Sequence, residues 1–295
     1  MSSDVVPAAP AEPAPLVHAP TIVAILAEVA LCVAVIAVTL AHWHVALVIP
    51  AMVVLATRQH ALFILYHDAV HYNVARGRRL NDLLTNALIG LPQLVPVQLY
   101  RRLHLAHHAR LGTAADPERL LLYRDQPWDY RPLPLRRLLA QLLGDLLLLN
   151  NVRTLRHFAR ELAGSQLQLP KARYPIELWV LGAAYGAVFA WVAVAEPTAA
   201  LRFAILWIVP LLTLTQALQK VRSFVEHAPM DAPELSYSWR PGWLGRALIW
   251  PYHINYHREH HVHPRVPWYR LPATFPGADQ RPGRGLWRVL WNGRW

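Results

Sequence analysis

Apolar residues in this chain gather into four runs long enough to cross a bilayer. Residues 21–40 carry a single charge, Glu28, and a short polar interruption at residues 41–44 separates them from a second run at 45–66. Together they predict a helical hairpin with a tight turn. The second helix is expected to continue out of the membrane to His71. Arg58 lies well inside it, and an arginine at that depth is expected to face the protein interior. Residues 174–195 and 199–219 form a second pair, turned by Glu196, Pro197 and Thr198. Arg202 lies near that turn, where it can snorkel to the interface.

Between the pairs, residues 83–100 are apolar but broken by Pro92 and Pro96, which predicts a bent or interfacial helix. Residues 138–149 include Gln141 and Asp145 and predict an interfacial or buried segment rather than a span. Residues 1–19 are rich in Pro and Ala, without Lys or Arg, and read as a flexible tail rather than a secretory signal. The final stretch, GLWRVLWNGRW, is expected on the membrane surface. The pattern as a whole predicts an all-α integral membrane fold, with one domain over residues 20–295 and four transmembrane helices.

Composition sharpens this reading. Hydrophobic residues make up 55% of the chain and charged residues 16%, yet the formal charge is +11. Basic residues bordering apolar runs fit a membrane protein, not a nucleic-acid binder. Of 29 Lys and Arg, 16 fall between His67 and Arg173 and 11 from Lys220 onward, with none in the turns at 41–44 and 196–198. The positive-inside rule therefore places the far turns outside and the remaining polar segments, with the C-terminus, in the cytosol. The single cysteine, Cys32, excludes an internal disulfide and a cysteine-based zinc or iron–sulfur site.

Candidate chemistry lies in the 16 histidines. His67 and His71 stand four apart. His104, His107 and His108 follow as HLAHH. His227 ends the fourth apolar segment, and His257, His260 and His261 form an HxxHH cluster. Helical residues three and four apart share a face, so such imidazoles can converge on a metal. Spans that return to one side gather all nine at one membrane face. One ion takes about four to six ligands, so nine histidines suit two adjacent ions. Imidazole binds iron, zinc, copper or nickel, and ligand type alone does not choose among them. Asp68, beside His67, is a candidate to orient a ligand ring.

HDAVH, HLAHH, a lone histidine after the fourth span and INYHREHH followed by VPWYRLP, in that order around four apolar segments, resemble the membrane fatty acid desaturase and hydroxylase family. The likeness covers roughly residues 45–275. It implies a non-haem di-iron centre with His67, His71, His104, His107, His108, His227, His257, His260 and His261 as ligands, capping four helices on the cytosolic side. In some acyl-CoA desaturases an Asn four residues before the lone histidine holds one iron through a water; Ser223 stands at that position here. Glu226, Asn255 and Glu259 are further candidates to support the ligands.

The resemblance implies oxygen-dependent removal of hydrogen from an unactivated C–H bond, leaving a double bond in a fatty acyl chain or lipid. Electrons must come from a separate protein, a ferredoxin or small haem protein, because no haem-domain signature or cysteine set is present. Hydroxylation or ketolation of a lipid, carotenoid or other small molecule is the alternative on the same scaffold. A non-catalytic membrane metal-binding or transport protein is a further one. Transport calls for ionisable residues along the mid-membrane path, and the candidate ligands cluster beyond the helix ends instead.

Overall fold

The computed structural model describes residues 17–113, 115–118, 134–164, 173–227 and 235–286. Helix α1 (Ala19–Ala41) and helix α2 (Val45–Val70) form the first hairpin. A short helix α3 (Arg78–Thr85) passes through a π-helical turn at Asn86–Gly90 and, after a break at Pro92–Pro96, reaches α4 (Val97–Arg110). Helices α5 (Leu135–Leu146) and α6 (Leu149–Gly164) follow. Helix α7 (Ile176–Ala195) then turns into α8 (Pro197–Leu212), which runs almost directly into α9 (Leu214–His227). Among the described residues, four helices are long and apolar enough to cross a membrane: Ala19–Ala41, Val45–Val70, Ile176–Ala195 and Pro197–His227.

The apolar character of each span is visible in what it leaves uncovered. Helix α7 buries only Leu178 and exposes Trp191 and Val194, as a helix facing lipid should. Helix α2 is the central element. It packs on α1, α4, α8 and α9 and buries Leu55, Leu62, Leu65 and Tyr66. The ring of Tyr66 stacks on Tyr100 at 5.0 Å, which joins α2 to α4.

Arg58 faces the interior. It donates to Glu28 Oε1 at 3.0 Å and Oε2 at 3.3 Å, so the charges of the first two spans neutralise each other. Asp145 and Gln141 are buried and their leucine neighbours exposed, so α5 turns its polar side inward. There Asp145 accepts from Lys220 Nζ of α9.

The bend between α3 and α4 follows from Asn86 and Gly90. The Asn86 Oδ1 accepts from Val97 N at 2.8 Å and starts α4. A Cβ on Gly90 would lie 2.8 Å from Asn86 Oδ1 and 3.0 Å from Val95 O, so only glycine fits the approach.

The described residues begin at the end of the expected tail. Val17 bridges Ala75, and His18 Nδ1 meets Tyr269 Oη at 3.0 Å; residues 1–16 lie outside the described residues. So does most of the expected surface segment, from Trp287 onward. The C-terminal part includes strand β1 (Ser238–Arg240), helix α10 (Trp243–Leu248), helix α11 (His257–Val262) and strand β2 (Gln280–Pro282), with β1 and β2 paired in parallel.

Candidate metal centre

The ends of α2, α4 and α9 meet α11 at one end of the bundle, and each delivers histidines there. The continuation of α2 past the expected span limit brings His67, with His71 just beyond its end. Helix α4 supplies His104, His107 and His108, α9 ends on His227, and α11 supplies His257, His260 and His261.

These nine side chains sort into two groups. His67, His71, His104, His108 and His260 place one ring nitrogen each within 4.8 Å of all the others, and so do His107, His227 and His261. His257 adjoins the second group, with its Nε2 at 3.0 Å from His227 Nε2 and 3.1 Å from His261 Nε2. The groups are neighbours: the rings of His108 and His261 stack at 4.2 Å. His253 and His263 stay outside, stacked on Trp268 and Phe275.

Two observations test whether these residues fit metal ions. The first is a set of buried imidazole nitrogens without a hydrogen-bond partner among the described residues: Nε2 of His67, His71, His107 and His260. A buried polar atom left unpaired costs about 1–3 kcal/mol, and four in one cluster are accounted for if their lone pairs serve an ion. The second is spacing. His104 Nε2 and His108 Nε2 are 2.8 Å apart, close to the 3.0 and 3.1 Å separations around His257. Two nitrogens each about 2.1 Å from one ion stand about 3.0 Å apart at a right angle and about 3.4 Å apart at a tetrahedral angle. These three pairs have the spacing of adjacent ligand positions on one ion.

A model of the fatty acid desaturase family matches residues 21–291, nearly the whole chain. The chain belongs to the fatty acid desaturase family. Two relatives show the range of that likeness. Over 258 residues the chain is 24% identical to a dihydrorhizobitoxine desaturase from Bradyrhizobium elkanii, covering 82% of this chain and 71% of that one. Over 253 residues it is 26% identical to a beta-carotene 4-ketolase 3 from Haematococcus lacustris, covering 82% of this chain and 64%, less than two thirds, of that one. The family is one of membrane oxidoreductases, and both relatives are similar to this chain at low identity.

Around the rings of this desaturase-family protein, Asp116 and a backbone carbonyl hold the Nδ1 atoms of His107 and His227, and two further carboxylates lie close to those of His104 and His257. His107 Nδ1 meets Asp116 Oδ1 at 2.9 Å, and His227 Nδ1 meets Leu235 O at 2.9 Å. His104 Nδ1 lies 3.6 Å from Glu118 Oε1, and His257 Nδ1 lies 3.4 Å from Glu226 Oε2. The two hydrogen bonds fix the tautomers of His107 and His227 and leave their Nε2 atoms as acceptors.

Asp116 and Glu118 are residues that the sequence reading did not single out. The stretch around Asp116 and Pro117 reads as the turn that ends α4, and it is one, with Asp116 Oδ1 also accepting from Glu118 N at 3.0 Å. The overlooked signal is that a turn eight residues past HLAHH can fold its carboxylates back onto the same histidines.

The other expected supporting residues divide. Glu226 touches His257 and is itself held by Arg222 Nη1 at 2.6 Å. Ser223 donates to Glu118 Oε2 at 3.2 Å, so it reaches the site through that carboxylate. Asp68 accepts from Asn73 Nδ2 at 2.9 Å. Asn255 donates to Trp239 O at 2.8 Å, and its carbonyl accepts from Trp239 N. Glu259 accepts from Ser238 Oγ. The last two clamp α11 to β1 and support the ligands by placing their helix.

Burial sets the charge state of the rings. It pushes His71 down to about 3, with His108 adding to the effect, and His108 down to about 4, with His107 adding to it. Burial also holds His104, His257, His260 and His261 well below the usual histidine range. Neutral imidazole is the form that binds metal. His107 is the exception. Burial lowers it, but Glu118 and Asp116 outweigh burial and raise it.

A pH dependence follows. The unfolded chain protonates these rings near the ordinary 6.5, while folded His71 and His108 resist to about 3 and 4. The unfolded state then binds more protons below 6.5, so metal-free protein is expected to lose stability as the pH falls through that window. His107 contributes with the opposite sign. Thermal melts of chelator-treated protein from about pH 7 to about pH 5 check this; a constant or rising melting temperature would contradict it. Separately, Asp116→Asn is expected to weaken metal binding at the group containing His107 by about 10–100-fold. Competition against a calibrated chelator reads that loss.

Proposed function

We propose that this chain is a membrane-bound, oxygen-dependent di-iron desaturase that introduces a double bond into a fatty acyl chain or lipid. The observation that carries the reading is the pair of histidine groups, each with ring nitrogens within 4.8 Å of one another, and the unpaired buried Nε2 atoms of His67, His71, His107 and His260. One ion would be held by His67, His71, His104, His108 and His260, the other by His107, His227, His257 and His261. Bound iron would supply the oxygen activation that no amino-acid side chain provides.

The chain's own residues do the rest. An all-imidazole ligand set would add no negative charge to bound ions, in contrast to carboxylate-rich bundles. Asp116 fixes the orientation of the His107 ring, and Glu118 and Glu226 place negative charge beside His104 and His257. The apolar helices exclude water from the reacting carbon pair and hold it in place. The cluster lies at the basic end of the bundle, which the positive-inside rule assigns to the cytosol. Exposed Arg76, Arg265 and Arg270 on that side suit a separate, acidic electron donor, a ferredoxin or small haem protein.

A second reading is favoured by the ketolase relative, which is as similar to this chain as the desaturase relative. On it, oxygen is inserted into a lipid, a carotenoid or another small molecule at the same centre. Mass spectrometry of whole-cell extracts, from cells expressing the chain with a ferredoxin system, separates the two. A product lighter by two hydrogens, absent with His261→Ala, is expected. A product that gains one oxygen atom, as an alcohol or, with two hydrogens lost, as a ketone, would overturn the desaturase reading in favour of the second.

A further inference from the structure

The segment just ahead of α11 re-enters the bundle beside α2, and it is held there by side chains inside the first two spans. Arg58, already paired with Glu28, donates through Nη2 to Ala247 O at 3.3 Å. Two residues further along α2, His60 donates through Nε2 to Ile249 O at 3.0 Å. Tyr252 Oη donates to Glu28 Oε1 at 2.6 Å, closing a link from α1 to residues 247–252. Irregular backbone beside apolar spans persists only where protein groups satisfy its carbonyls, and α2 provides the donors.

The same segment is strained. Tyr252 has φ 50° and ψ 42°, and His253 has φ 54°, two consecutive side-chain-bearing residues in the left-handed region. Such residues persist only when their surroundings over-determine them. Here the surroundings are Glu28 on the hydroxyl and the Trp268 ring, 5.0 Å from the Tyr252 ring. An ion pair within membrane spans is itself costly unless it serves a purpose. The turn it holds sits five residues before His257, so the position of this turn sets where α11 begins.

We propose that Glu28, Arg58 and Tyr252 form an intramembrane latch that positions α11, and with it His257, His260 and His261, against the histidines of α2 and α4. The latch rests on the two-ion reading above. It acts on the ligands through the backbone turn, so these are positioning residues. Tyr252→Phe removes one hydrogen bond and leaves the ring, the ion pair and the fold in place. Glu28→Gln keeps an acceptor for Tyr252 but ends the ion pair.

The test uses full-length protein in lipid nanodiscs, stripped of metal and titrated with Co²⁺ under optical absorption. Wild type is expected to take two ions. Tyr252→Phe should bind Co²⁺ about tenfold more weakly, at the low end for groups that support ligands, with altered d–d bands and an unchanged melting temperature. Glu28→Gln should show the same spectral change. Wild-type affinity and spectrum in Tyr252→Phe, or a lowered melting temperature alone, would overturn the latch. Hydrogen exchange of metal-free protein supplies a readout independent of metal. Amides of residues 254–262 should exchange faster in Tyr252→Phe, and equal rates would also overturn it. Absence of Co²⁺ binding in wild type would instead sink the two-ion reading, with the exchange rates still deciding the latch.

Discussion

His260→Ala is expected to eliminate product formation and to release one of the two metal ions while the protein remains folded in the membrane. The His260 ring sits amid its group, 4.4 Å from His67, 4.9 Å from His71 and 5.1 Å from His108 between centroids. Its Nε2 is buried with no hydrogen-bond partner among the described residues. Removing it takes away one of the five ring nitrogens that this group could offer an ion. Loss of a supporting partner weakens metal binding by about 10–100-fold, and loss of the ligand itself is expected to exceed the upper end. His261→Ala should act on the other group, which also contains His107 and His227. Metal content per chain, measured beside product yield, checks both. Retained activity with either substitution would contradict the assignment of ligands.

The second large effect is expected on stability. Asn81→Leu should destabilise the fold by about 3 kcal/mol and loosen the chain that leaves His71. Asn81 is fully buried; its Oδ1 accepts from Val74 N at 3.2 Å and Ala75 N at 3.3 Å, and its Nδ2 donates to Ala69 O at 3.0 Å. Leucine matches its bulk but leaves two buried amides without their acceptor, at about 1–3 kcal/mol each. The expected signature is a lower melting temperature together with faster metal loss to chelator, because Ala69, Val74 and Ala75 bracket His71. An unchanged melting temperature would show that these amides find other partners.

Much of this architecture was legible because its signals are local. The spans follow from runs of apolar residues, and the convergence of the histidines follows from helical spacing plus the return of four helices to one side. The partner of Arg58 was the harder case. Its burial was expected from the cost of an exposed charge at that depth, but Glu28 was not matched to it. The clue was present: in a hairpin that turns about Trp43, residues 28 and 58 are equidistant from the turn and so lie opposite each other. Asn81 lies within α3, which begins at Arg78, and its side chain binds the preceding loop rather than capping a helix. Asp116 and Glu118 fold back from a turn, and the re-entry of residues 247–252 depends on hydrogen bonds to α2 from the far end of the chain. Such contacts arise from tertiary packing, to which neither periodicity nor composition is sensitive.

The number of iron ions per chain tests the central claim most directly. Protein purified from iron-replete cells, analysed by elemental mass spectrometry against amino-acid quantitation, is expected to contain two irons per chain, and fewer in His260→Ala and His261→Ala. A single tightly held zinc, or wild-type iron content in both variants, would contradict a two-ion histidine centre.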